Sequence, residues 1–518
     1  MREGRRVKAR IVRRAAAIAW LAVSPLVPSM CIAIAGPAQA QSPVSDLFLS
    51  GSNRMEYGLA REDGVETFED LFRVDGTWRR WTLSARFHAI EGSEAPGSEE
   101  IDQRSLQYID EHLELLGGNY YETWGRGLVL RAYETRIAAV GRLERSVSLD
   151  RDIDGFRARG RYGWLFGTAL SGSPLRVPQS GQPATDDPGL RTDTIRGARG
   201  GVDIPGGLTV TGAYLRVNTT DLGAPDPDTA ERIRDEYLTG EADYVQGPIA
   251  AHLSGARRHA DELLLPEDGR AWYGSVAASA ASFGATFEFK DYERFVGPYN
   301  EPPTLVKTQS WTLLNRGTHL SNPDDEVGQQ AALDWSPGPE DGLSLNHSRS
   351  DNHESEEIFE YRQWTLEGRL RPGPDDTGPR LKAVADWERD RIKGVTDRWT
   401  GGADVEVGID DVRSVAAVFE HQVTDFAFAD QQRVSLLTLE YQEAPWLTVA
   451  FLGEKAAEPE DGRDTWASAT INLSWSGRHN LNVFMGRRPA GYLCTGGYCF
   501  LAPAFDGIEV RLISIFGD

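Results

Sequence analysis

The residues with chemistry to offer lie mostly in the first third of the chain. In GGNYYETWGRGLVLRAYE, residues 117–134, Glu122, Arg126, Arg131 and Glu134 sit among four aromatics and four glycines. Read as an extended segment, Glu122, Trp124 and Arg126 point one way, and Tyr121, Thr123, Gly125 and Gly127 the other, because strand side chains alternate sides. Gly125-Arg126-Gly127 predicts a bulge or bend rather than a smooth strand. Two readings stand: a charged eyelet that narrows a pore, or a hairpin whose ions pair with one another. The second is the plainer one.

Downstream, Arg157, Arg159 and Arg161 share one face, against Phe156, Ala158, Gly160 and Tyr162. Such a ladder selects anions when it lines a water-filled path, and it forms a salt-bridge network when acids lie opposite. Asp150, Asp152, Asp154 and Gly155 match the opening of a calcium loop. Its twelfth position is Arg161, where a bidentate Glu is needed, so a turn with paired charges is expected instead. His347, Asp351, His353, Glu354, Glu356 and Glu357 read as a solvated loop rather than a metal site. His347 and Ser348 are neighbours in a strand-like run and face opposite ways, so they do not form a catalytic pair. There is no phosphate-binding glycine loop and no HExxH. The expectation is no catalytic residue, no metal, no cofactor and no enzymatic activity.

Elements of period 2 must position these residues. Trp81, Leu83, Ala85, Phe87 and Ala89 alternate with Thr82, Ser84, Arg86 and His88. Phe283, Ala285, Phe287 and Phe289 alternate with Gly284, Thr286, Glu288 and Lys290. The same pattern runs through 364–370 and 466–475. This periodicity predicts half-buried strands. The runs are about 9–11 residues long, the span of a tilted membrane strand. Their apolar faces end in aromatics, as an interfacial girdle does. PEDG recurs at 266–269, 339–342 and 459–462, and with GIDD (408–411) it predicts turns between hairpins. No convincing helix is predicted after the N-terminus; AERIRDEYL (230–238) is the best candidate. The expectation is an all-β, transmembrane antiparallel barrel, a meander of roughly 18–22 strands.

The ends of the chain give the address. Seven basic residues and an apolar run closing on Ala38-Gln39-Ala40 predict a cleaved signal peptide over residues 1–40. Residues 41–518 then form one barrel domain. The leader contributes +6, so the remainder carries −29 against −23 for the full chain. That charge excludes a nucleic-acid partner, which needs a basic footprint. Ile508, Val510, Leu512, Ser514 and Phe516 share a face in a last strand that resembles the assembly signal of outer-membrane barrels. It implies the bacterial outer membrane, its lipid and the barrel assembly machinery as partners. Export places Cys494 and Cys499, in CTGGYC, in an oxidising compartment, and a disulfide at a hairpin tip is expected.

GNYYETWGRGLVLRAYE, LDRDIDG (149–155), PPTLVKTQSWTLLNRGTH (302–319) and CTGGYC together resemble an uncharacterised family of Gram-negative outer-membrane barrels, described as porin-like or of unknown function. The resemblance spans most of the chain after the leader and implies location and fold, with no activity to carry over. The expected function is a porin-like passive channel for small solutes. A closed structural or surface-interaction barrel is the alternative, and trimers are the guess for a porin.

Overall fold

The computed structural model describes residues 47–61, 64–92, 97–137, 147–175, 193–220, 232–261, 267–307, 309–319, 322, 324–354, 357–372, 378–460, 463–495, 498–502 and 504–517, with only the backbone for 134–137, 147–150, 220, 232, 267, 459–460, 492–495 and 498–502. The predicted leader, the Glu134 side chain and both Cys side chains lie outside these.

Twenty-four strands form one antiparallel sheet in sequence order, a meander. The sheet closes on itself where Leu47–Ala60 pairs with the final strand, Phe505–Phe516. The fold is a closed antiparallel β-barrel, as the period-2 reading predicts. It holds more strands than the 18–22 expected. The difference lies in the connections, several of which use only two residues: Arg79-Arg80 joins the register partners Trp78 and Trp81, and Ala281-Ser282 joins Ala280 and Phe283. Less chain goes into turns, so more strands fit.

The helix candidate at 230–238 is overturned. Residues from Arg232 lie in the strand Arg232–Gln246, paired on both sides. Tyr237 is buried and Leu238 exposed, so alternation across a sheet outweighs local helix preference. Glu267–Gly269 of the first PEDG also belongs to a strand, because its pairing with the preceding strand runs on to Ala260↔Glu267. The second, Pro339–Gly342, does turn the chain between Asp325–Trp335 and Gly342–Asp351.

The chain divides into two compact parts. The first holds the described residues up to Leu106, Ile471–Gly486 and the last strand from Asp506 on. Its polar face is ion-paired: Arg86 grips Asp102 with three bonds of 2.5–3.0 Å, His88 meets Glu69 at 2.9 Å, and Arg511 donates to Glu56 at 2.6 Å. On the opposite face, Phe516 stacks on Phe72 with centroids 5.6 Å apart.

The second part, Gln107–Thr470 with Arg487–Phe505, carries most of the wall strands. One face exposes large apolar side chains, among them Leu238, Trp272, Phe287, Leu333, Trp364, Phe419 and Phe451. The other buries Thr365, Asp386, Glu388, Thr400, Glu420 and Thr438. A soluble sheet buries its apolar face, so this inversion marks a wall with lipid outside and polar contents within. No helix among the described residues is long and apolar enough to cross a membrane.

Candidate functional site

Two connections fold onto the polar face of the second part instead of looping away from it. The first, residues 121–133, follows the wall strand Leu113–Tyr120. Two three-residue strands, Glu122–Trp124 and Leu130–Ala132, pair with each other around a 3-10 turn at Gly125–Gly127. Gly125, Arg126 and Gly127 all have positive φ, at 62°, 53° and 95°. Glycine adopts this region freely, and an arginine there is strained. The sequence signal at Gly-Arg-Gly was therefore real, and the bend it predicts is a reversal. Trp124, Leu128 and Leu130 are fully buried, in one cluster with Leu215, Val217, Tyr237 and Tyr292 of the wall.

The second connection, residues 294–324, contributes Phe295, Tyr299 and Leu305 to that cluster. The two connections are stitched by backbone bonds, Arg131 N to Tyr299 O at 2.9 Å and Glu301 N to Gly127 O at 2.8 Å. A Cβ on Gly127 would run into the Glu301 carbonyl. Farther on lies a one-turn helix, Thr312–Arg316, held by charge. Both oxygens of Glu420 accept backbone N–H bonds, from Thr312 at 3.0 Å and Leu313 at 2.8 Å. Arg316 forks onto Glu454 at 2.6 and 2.9 Å. The Trp311 indole donates to Glu367 at 3.0 Å. At the end of the connection, buried His319 faces a carboxylate on each ring nitrogen, Asp390 at 3.1 Å and Glu326 at 3.2 Å. Its ring stacks on Tyr361 at 4.0 Å. Burial alone would push its pKa down; the two carboxylates outweigh it and hold the imidazole at about 9. Two acceptors around one ring require both nitrogens to donate, which only the cation does.

The structure brings together three of the residues singled out from sequence. Buried Glu122 accepts from Arg159 at 2.6 Å, from Arg157 at 3.3 Å and from the Trp124 indole at 2.9 Å. Arg157 also pairs with Glu114 and donates to the Tyr121 carbonyl at 2.9 Å. The other three lie elsewhere. Arg161 is exposed and bonds Asp203 at 2.5 Å. Arg131 meets Glu301 at 3.1 Å. Arg126 reaches Asp243 at 3.7 Å. The ladder is a set of ion pairs, and Arg126 and Arg131 close no ring with Glu122.

The remaining candidates separate. Asp154 and Gly155 are in the wall strand Ile153–Tyr162, and Asp152 accepts from Asn119 at 2.9 Å. His347 stacks on Trp364 at 4.0 Å, while His353 contacts Asp291 at 3.2 Å. No group of three or more His, Cys, Asp or Glu suited to a metal is present among the described residues. Cys494 and Cys499 are register partners in the hairpin Gly491–Thr495/Tyr498–Ala502.

Sequence reasoning missed the second connection as a site. Its signal was available: between Pro302 and His319, Leu305, Trp311, Leu313 and Leu314 follow no period of 2, so they fit no wall strand and must be buried some other way.

Residues 384–516 match the family of unknown function DUF6029. No curated protein matches the chain in sequence. Among solved structures, the chain is similar to the E. coli P pilus tip assembly intermediate PapC-PapD-PapK-PapG, with a TM-score of 0.50 and 10% identity over 92% of this chain and 62% of that one. It is also similar to the siderophore receptor PirA from Pseudomonas aeruginosa, with a TM-score of 0.44 and 8% identity over 90% and 80% of the two chains. For Pseudomonas aeruginosa OccK5 (OpdH) the TM-score is 0.39 and the identity 12%, over 74% and 99%. These likenesses concern the fold, which is that of outer-membrane barrels.

Proposed function

We propose that this protein sits in the outer membrane and conducts small hydrophilic solutes passively through a lumen narrowed by its two inward connections. The observation that carries the reading is the pair of folded-in connections on the polar face of a 24-strand ring. Closed barrels of about 16–18 strands already surround an aqueous channel, and a wider one needs internal segments to restrict what passes. Membrane lipid and the barrel assembly machinery belong to this reading as partners, small solutes as cargo, and no enzymatic step is part of it. Because Arg157 and Arg159 face carboxylates, selection between anions and cations is expected to be weak. The same connections also suit the alternative, a closed structural or surface-interaction barrel, if they fill the lumen.

Conductance separates the two. Residues 41–518, refolded in detergent and inserted in a planar bilayer, are expected to give discrete, reproducible steps. Silence from protein shown to be folded and inserted sinks the channel and leaves the closed barrel. The disulfide belongs to the same exported state: Cys494 and Cys499 stand directly opposite each other. Alkylation without reductant is expected to modify neither; labelling of both thiols in secreted material would refute the bond.

A further inference from the structure

Four adjacent wall strands of the second part, Gly342–Asp351, Tyr361–Leu370, Arg380–Asp390 and Val395–Gly408, carry two rows of side chains on their lipid-facing side. In one row Arg349 stands opposite Arg362, and Arg362 opposite Arg389. In the row two residues nearer the apolar belt, His347 stands opposite Trp364, Trp364 opposite Trp387, and Trp387 opposite Trp399. Beyond Trp364, exposed Leu366 continues into the belt. Tryptophans at such a step mark the depth where acyl chains give way to headgroups. The arginines are therefore at headgroup depth.

They are on the side of residues 294–324 and 352–360, the long connections next to these strands. In outer-membrane barrels long connections face outwards and short turns face the periplasm. Like charges directly across a strand pair repel, and here three line up. Carboxylates relieve part of this. Glu360 meets Arg362 at 2.7 Å and Arg389 at 3.7 Å. Asp397 meets Arg389 at 3.4 Å. Asp351 stands 3.7 Å from Arg349, beyond hydrogen-bond range, and Glu357 pairs with Arg391 at 3.0 Å. The Arg349 and Arg362 side chains stay 45% and 41% exposed. Arg389 lies over the Trp387 ring, 5.6 Å from its centroid, which aims it along the wall. A guanidinium has five N–H donors in a fork that fits phosphate; Arg389 also donates from Nε to the Thr396 carbonyl at 3.0 Å, so the donors open to a ligand are chiefly those of Arg349 and Arg362.

We infer that the Arg349–Arg362–Arg389 row binds the phosphates of a phosphorylated glycolipid of the outer leaflet, of the lipid A type, with Trp364, Trp387 and Trp399 against its acyl chains. This rests on the outer-membrane reading above and is independent of whether the lumen conducts.

The test uses residues 41–518 folded in neutral detergent, with native mass spectrometry after adding bisphosphorylated lipid A, its dephosphorylated form, or inorganic phosphate. Native protein is expected to retain lipid A at least about tenfold better than the dephosphorylated lipid. The R349Q/R362Q/R389Q variant should lose that preference, and inorganic phosphate at lipid concentrations should not compete. Equal retention of both lipids by native protein overturns the site without any variant. A folded triple variant that keeps the preference overturns it too, and competition by inorganic phosphate would mean a free-anion site. Failure of the native chain to insert into liposomes overturns the membrane reading and this site with it. Insertion without lipid discrimination overturns the site alone.

Discussion

Glu454 offers the sharpest handle on the second connection. It is buried on the polar face of the strand Leu447–Glu460, and its two oxygens take both terminal nitrogens of Arg316 at 2.6 and 2.9 Å. In the variant Glu454→Ala that guanidinium loses its carboxylate, while the helix residues Leu313 and Leu314 keep their packing against Leu436, Leu452, Val384 and Val418 of the wall. Removing one partner of a buried pair costs about 3–5 kcal/mol. The Arg316 side chain keeps 24% exposure, so water offsets part of the loss and brings it to about 2–3 kcal/mol, at or just under that range. At about 1.4 kcal/mol per tenfold, the ratio of docked to released connection falls by roughly 30- to 140-fold. The 24-strand hydrogen-bond ladder is untouched, so the barrel still inserts. Two assays read the release: trypsin cleavage of inserted protein after Lys307 or Arg316, and the noise and mean conductance of single channels. Both are expected to rise. If cleavage and conductance match the native protein, the Arg316–Glu454 pair does not hold the connection in place, and the reasoning from its geometry is wrong.

Two further outcomes follow from the charge pairs. Arg157→Ser removes the buried guanidinium that lies between Glu122 and Glu114, leaving Glu122 only the half-exposed Arg159 as its cation partner, and is expected to lower the unfolding midpoint, by a loss of about 2 kcal/mol or more. Arg161→Ser, at an exposed pair with Asp203, should cost about 1 kcal/mol or less; equal effects on detergent-resistant folding would argue against the buried triad. For His319, the folded pKa of about 9 lies above its ordinary 6.5, so the native state binds the extra proton more tightly than the unfolded one. Its stabilisation is full below about pH 6.5 and is lost as pH rises through about 9. Trypsin sensitivity of the second connection should therefore climb between pH 8 and pH 10 at matched protease activity. A flat profile, or the same climb in His319→Gln, would refute the link.

The wall was legible in the sequence because lipid outside and polar contents inside write the same period of 2 into every strand. Phe283, Phe287 and Phe289 are exposed and Lys290 is buried, as alternation alone predicts. Strand number was less legible, because it depends on how little chain the turns consume. The site was legible only at its charges. In sequence Glu122 reads as pairing within residues 117–134, and Arg157 and Arg159 as part of a separate ladder; the structure joins the two, and Glu114, which completes the group, was not named. The Gly-Arg-Gly signal marks a bend within residues 121–133, but nothing local says that this segment, or 294–324, folds onto the polar face of the wall. Those placements come from packing between segments about 170 residues apart in sequence, and only non-periodic apolar residues such as Trp311 and Leu314 hint at it.

The closing contact has a consequence for how the protein reaches its native state. Arg511 and Glu56 lie 455 residues apart in sequence, and the strands that carry them are the seam of the ring. Until that seam zips, both strands present an unpaired row of backbone donors and acceptors, the kind of edge that recruits other chains. Contacts of such long range make folding slow. The last strand thus works as a lock: a chain stalled before it is left with two sticky edges, and protection of those edges sets the yield of folded barrel.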